Sequence, residues 1–176
     1  MDKVTLERIE TAHPKIREEL KQIYTEICQA LQGRAICRFA YVIRTFDEQK
    51  ALYAQGRTKM FDANGKRLGI VTNAAAGWSL HNYGLAADIV LLVDADNNGT
   101  FESASWDTVK DFDKDNKADW MEIVSIFKRY GWTWGGDFKS IKDKPHFEKP
   151  LGYTIKQLLA KYNAKDFIPG TTYVNI

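Results

Sequence analysis

The chain has 176 residues, 44% of them apolar and 27% charged, with a formal net charge of +2. That is enough length for one ordinary core, and the composition is that of a folded globular protein. No apolar run approaches the ~20 residues of a membrane-spanning helix, the near-neutral charge gives no footprint for nucleic acid, and two cysteines, Cys28 and Cys37, are too few for a disulfide scaffold and read as buried thiols.

In chain order, the first twenty residues, MDKVTLERIETAHPKIREEL, are charged throughout and do not read as a secretory signal. The expectation is a cytoplasmic protein, or a secreted one whose signal has been removed. From Pro14 to Leu31, apolar residues at Ile16, Leu20, Ile23, Tyr24, Ile27 and Leu31 give a helix with one core face, started at Pro14 and stopped at Gly33. His13 precedes it and is read as a local group at the start of the helix. AICRFAYVI (35–43) reads as a strand. Thr45 and Glu48 then have capping-box spacing for a helix that ends near Gly56.

Residues 57–77 form a long loop with a turn at Asn64-Gly65, and long loops in compact domains are often functional. A central strand follows at 85–93, then an acidic, irregular stretch at 94–116. A helix over 117–130 buries Trp120, Ile123, Val124 and Phe127, and GWTWGG breaks it. A short strand at Phe147 and a helix over 154–163 complete the chain. Strands and helices do not alternate regularly, so the expected fold is α+β: a small, mostly antiparallel sheet with flanking helices, in a single domain of residues 1–176 whose motif-bearing part spans about 13–150 and whose C-terminal helix and tail are 151–176.

Three ionisable residues break local rules. Asp88 interrupts the apolar strand, and a buried carboxylate is costly unless it is paired or binds a metal. His81 lies seven residues upstream in a segment loosened by Asn82 and Gly84. His146 stands in DKPHF, three residues after Asp143. Two histidines and a carboxylate are the usual protein ligands of a catalytic zinc, and a further acid can serve as general base. Position alone leaves other readings open: a strand Asp bonded to a loop or an Arg, and two structural histidines. The helical HExxH motif is absent.

The motifs carry a resemblance. SLHNYGLAAD (79–88) is similar to the SxHxxGxAxD pattern of peptidase family M15, the D-Ala-D-Ala carboxypeptidases and L-alanyl-D-glutamate endopeptidases. Asp143-Lys144-Pro145-His146 resembles its second motif, RTFDEQKALYAQGRT the segment after its first strand, and YGWTWGGDFKSIKDKPHF its approach to the last ligand. The likeness runs from about His13 to Phe147 and looks closest to phage endolysins and bacterial cell-wall L-Ala-D-Glu peptidases.

The resemblance implies a hedgehog/D,D-peptidase-like fold with zinc held by His81, Asp88 and His146, and with Asp143 as catalytic base. It implies Arg44 as a substrate anchor or oxyanion stabiliser, and substrate contacts from Ser79, Gln49, Trp134 and Tyr83. The implied substrate is a peptidoglycan stem peptide, with L-Ala-D-Glu as the expected bond, cut by a monomer that stays cytoplasmic until release if it is of phage type. A D-Ala-D-Ala carboxypeptidase or dipeptidase of the same family, and a non-catalytic zinc-containing binding domain, are the alternatives. A Cys-His peptidase built on Cys28 or Cys37 is disfavoured, because neither sits in a turn that would expose a thiolate. Asp111 and Asp137 are rival acids left outside the site.

A second metal signal is separate. DADNNGTFESAS (94–105) begins like a calcium loop with Asp94, Asp96 and Asn98, but its twelfth place is Ser105 instead of Glu. Acids at alternate positions in 111–119 are expected to be solvated turns and a helix start, with a structural or regulatory calcium, at Asp94, Asp96 and Asn98 in the first place, as the alternative.

Overall fold

A computed structural model of the chain describes residues 1–139 and 141–176. Ser140, in the approach to the second motif, lies outside the described residues. The architecture is α+β. Among the described residues, the helices are α1 (Lys3–Ile9), α2 (Arg17–Ala30), α3 (Phe46–Ala54), α4 (Asp119–Arg129) and α5 (Ile155–Asn163). The strands are β1 (Ile36–Tyr41), β2 (Ala86–Val93), β3 (Ser103–Ser105), β4 (Thr133–Trp134) and β5 (His146–Glu148). They form one antiparallel sheet in the order β1-β2-β5-β4. β3 pairs with Leu91–Val93 of β2, and β5 with Ala86–Asp88. Because β1 takes the other edge of β2, β3 and β5 follow one another along the same edge.

Side chains alternate across these strands, and the two faces have different fates. Cys37 and Phe39 of β1, Ile89 and Leu91 of β2 and Phe147 of β5 are buried on the face that meets α2 and α4. Aromatic rings tie that core together: Tyr24 meets Phe39, Phe39 meets Phe127, and Phe127 stacks on Phe147 with centroids 4.1 Å apart. Asp88, His146 and Glu148 point to the opposite face. A β-bulge between Phe39 and Tyr41, across from Asp88, loosens the sheet at that point.

Two elements lie beyond what periodicity predicts. α1 is too short to show a repeat; Asp2 caps it through the Thr5 amide and side chain and also pairs with Arg38. β3 reads Ser-Ala-Ser and carries no apolar pattern. His13 does cap a 3-10 turn at Pro14–Ile16, but it also bonds the Val174 carbonyl at 2.9 Å. Tyr173 bonds Thr11, and Val174 and Ile176 are buried, so the tail after α5 packs into the core beside the start of α2.

Candidate metal centre

Asp88 and His146 are direct partners in the β2–β5 register, so their side chains leave the sheet side by side. His81 reaches them from a 3-10 turn at Leu80–Tyr83 that ends at Gly84, whose φ of +67° reverses the chain into β2. A Cβ at Gly84 would also come within 2.7 Å of the His13 amide nitrogen, so the turn packs where no other residue fits.

The three inward atoms form a triangle. His81 Nε2 is 3.1 Å from Asp88 Oδ1, His146 Nδ1 is 3.0 Å from that oxygen, and the two nitrogens are 3.2 Å apart. The outward nitrogens are already committed. His81 Nδ1 faces the Val42 carbonyl at 2.9 Å and His146 Nε2 faces Glu148 Oε2 at 3.0 Å. Carbonyl and carboxylate oxygens only accept, so each outward nitrogen must be the N–H and each inward nitrogen offers a lone pair. Three acceptors thus converge without a donor among them.

Such an arrangement requires a positive charge, supplied by a proton or by a cation. Donors bound to one tetrahedral zinc at 2.0–2.1 Å stand about 3.3 Å apart, close to the observed edges. The outer partners at Val42 and Glu148 are also the kind that orient ligating histidines. Charge follows the same logic. Burial alone would raise the Asp88 pKa, but His146 and His81 outweigh it and hold the carboxyl far below the ordinary range. Burial opposes charge on His146, but Asp88 and Glu148 prevail and lift its pKa to about 9.

The triangle lies in a cleft of about 770 Å³ that also takes in Arg44, Ser79, Asp143 and Glu148. That volume is within the range of ligand sites. Arg44 follows β1, and its guanidinium donates to Gln49 Oε1 at 3.0 Å and to Asp88 Oδ2 at 3.4 Å. Asp88 therefore presents one oxygen to the histidines while Arg44 holds the other. Asp143 is exposed, yet the cleft walls desolvate its carboxyl enough to raise its pKa; the Asp88 charge adds to this and His146 opposes it. Gly135 lets this segment seat, since a Cβ there would run into the Asp143 carbonyl, and the Asp143 amide donates to Gly135 O at 3.0 Å.

Ser79 lines the cleft, and its side chain does not cap the following turn. Gln49, Tyr83 and Trp134, expected at the substrate, are placed differently: they are buried and do not line the cleft. Gln49 braces Arg44 and bonds the Ala74 carbonyl at 2.7 Å, which fixes the 57–77 loop to α3. The Tyr83 hydroxyl donates to Gly77 O, and the Trp134 indole donates to Lys144 O, both at 2.7 Å. These three residues shape the walls from behind. Glu148 is a site residue that the motifs do not name; its signal is its place two residues after His146 on the same strand face. Of the rival acids, Asp137 pairs with Lys128. Cys37 is fully buried, which pushes its thiol pKa well up.

Calcium at Asp94, Asp96 and Asn98 finds no support in the structure. Asp94 accepts the Asn98 and Gly99 amides, Asp96 accepts from Asn98, and Asn98 Oδ1 accepts from Thr100. These oxygens are spent on folding their own exposed loop.

Comparison with known proteins follows these lines. A family model described as D-alanyl-D-alanine carboxypeptidase matches residues 72–149, which include the whole triangle and Asp143. The chain is 46% identical over 138 residues to the peptidoglycan L-alanyl-D-glutamate endopeptidase CwlK of Bacillus subtilis, covering 76% of this chain and 75% of that protein. Among solved structures, the Serratia marcescens L-Ala D-Glu endopeptidase ChiX is similar at a TM-score of 0.49 and 17% identity, over 89% of this chain and 91% of that one. The chain belongs to peptidase family M15.

Proposed function

We propose that the protein is a zinc-dependent peptidoglycan endopeptidase that hydrolyses the L-Ala-D-Glu bond of the stem peptide. One observation carries the metal: three lone-pair atoms converge within 3.2 Å of one another, with their outer partners fixing them that way. The bond is supported by the extensive identity to CwlK.

His81, Asp88 and His146 would hold the zinc, which when bound supplies a Lewis acid and makes a water acidic enough to ionise near pH ~7. The protein's own groups do the rest. Asp143 accepts the proton of the attacking water and returns it to the leaving amine, and its raised pKa brings it closer to the working pH of a general base. Arg44, fixed by Gln49 and Asp88, offers its guanidinium to the oxygen that gains charge as the carbonyl is attacked. Tyr41, Ile70, Val71, Trp78 and Trp106 are large, exposed and gathered at the cleft rim, an apolar frame for an extended peptide.

The family model's own description favours a second reading, removal of a terminal D-Ala. Mass spectrometry of digested, purified peptidoglycan tests both. New D-Glu N-termini with L-Ala left on the glycan side support the proposal, whereas release of free D-Ala alone rejects it. A chelator should abolish the activity and added zinc restore it.

A further inference from the structure

We propose that residues 111–122 form a calcium-binding loop, separate from the histidine site and independent of the peptidase reading. The segment is DFDKDNKADWME. Counted from Asp111, carboxylates fall at places 1, 3, 5, 9 and 12: Asp111, Asp113, Asp115, Asp119 and Glu122. These are the places from which a twelve-residue calcium loop draws side-chain oxygens, with Glu last and a backbone carbonyl, here that of Lys117, at the seventh. The sixth place, where such loops turn sharply and favour Gly, is Asn116 with φ +73°. Asn is among the few residues that adopt this conformation readily.

The fold gathers these groups. Carboxylate oxygens of Asp111, Asp113 and Asp115 lie within 4.8 Å of one another, and so do those of Asp113, Asp119 and Glu122, so the two triads share Asp113. The decisive observation is at Asp119. It is 0% exposed; its Oδ1 accepts the Phe112 amide at 3.1 Å, and its Oδ2 is buried with no hydrogen-bond partner. Glu122 Oε2 is buried and unpartnered in the same way. Buried carboxylate oxygens without donors are rare and costly, and both residues belong to the shared cluster.

Among the described residues, the cation bonded to the cluster is Lys117. Its Nζ is 2.9 Å from Asp115 and 3.7 Å from Glu122, but it is 66% exposed and does not reach Asp119. One ammonium on the rim faces five carboxylates. An all-oxygen set with several flexible carboxylates suits calcium; zinc prefers nitrogen and sulfur, and magnesium demands a tighter octahedron. The ion would also have a structural effect. Asp119 donates its amide to Lys110 O at 3.1 Å and accepts from Phe112, so it ties α4 to the connection that leaves β3 through Trp106 at the cleft rim.

The test uses the full chain, zinc-loaded and dialysed free of calcium, titrated with calcium chloride by calorimetry and followed by thermal melting, with magnesium chloride in parallel. Expected is single-site binding and a Tm rise of roughly 5–10 °C at a calcium concentration about a hundred times Kd. Asp113→Asn, at a half-buried position that should fold, and Glu122→Gln should each weaken binding about tenfold or more. Asp94→Asn should bind like the parent. Absence of heat and of a Tm shift at millimolar calcium overturns the proposal. So does an equal shift with magnesium, or parent-like affinity in Asp113→Asn.

Discussion

The histidine triangle and the acidic loop are both clusters of metal-ligating groups, and they are assembled in opposite ways. The triangle draws on three separated segments, holds one carboxylate against two histidines, and has an outer partner behind every inward atom. The loop is twelve contiguous residues with five carboxylates and one rim ammonium, and two of its oxygens have no partner at all. Two paired strands and the 3-10 turn that carries His81 hold the first geometry for a small, nitrogen-preferring ion. A loop supplies the second, where a larger ion tolerates variable coordination. The difference separates a site built for chemistry from one suited to holding the chain together, and each variant below is a way to break that contrast or sharpen it.

The largest effect belongs to the triangle. Asp88→Ala or His146→Ala should abolish zinc binding and activity together, as read by metal analysis and peptidoglycan digestion. If either variant kept full turnover, the triangle would not be the reaction centre. Asp143→Ala is next: zinc content unchanged and kcat lowered about 10²- to 10⁴-fold, the usual loss with a general base. Because the base must be ionised, activity should fall as pH drops through the pKa of Asp143, whose carboxyl the cleft walls desolvate. Bound zinc would act the other way on this carboxyl, so the check is comparative: the acid limb of kcat/KM should be present in the parent and lost from the residual activity of Asp143→Ala. Glu148→Ala should be milder, weakening zinc about 10- to 100-fold by freeing the outer side of His146.

How much of this is legible in the sequence follows from distance along the chain. The helices after Pro14 and Asp119 and the two long strands announce themselves through apolar spacing, and Thr45 and Glu48 form the capping box their spacing predicts. The triangle is not local. Residues 81, 88 and 146 meet only because β5 pairs with the start of β2, and a three-residue strand leaves no periodic trace. Motif resemblance brings these residues into one set where spacing alone cannot. Resemblance says less about the second layer: Gln49, Tyr83 and Trp134 lie in the segments that carry the resemblance but turn inward to brace loops. The acidic loop is fully local, yet a reading that stops at Asp119 misses Glu122, because the twelfth place lies inside α4 and looks like an ordinary helix residue.

The smallest effect expected is the most discriminating for the two acidic stretches. By sequence, 94–99 opens more like a calcium loop than 111–116 does, since it has Gly at its sixth place, Gly99. In both loops the first acids accept amides of their own loop, as Asp111 does from Lys114 and Asn116 and Asp113 does from Asp115; what separates them is the pair of unpartnered oxygens at Asp119 and Glu122. Asp94 accepts two backbone amides and Asp96 accepts from the Asn98 amide and side chain, all in an exposed loop. An ion there would have to break bonds that the loop already makes. At Asp119 and Glu122 it would meet oxygens that have none. Asp94→Asn removes a charge but keeps an acceptor oxygen, so it should change Tm by no more than the ordinary scatter of a surface substitution, with and without calcium alike. A calcium response that disappeared in Asp94→Asn and survived in Asp113→Asn would move the ion to the first loop, and would mean that buried, unpartnered oxygens are a poorer guide to a cation than the opening pattern of the loop.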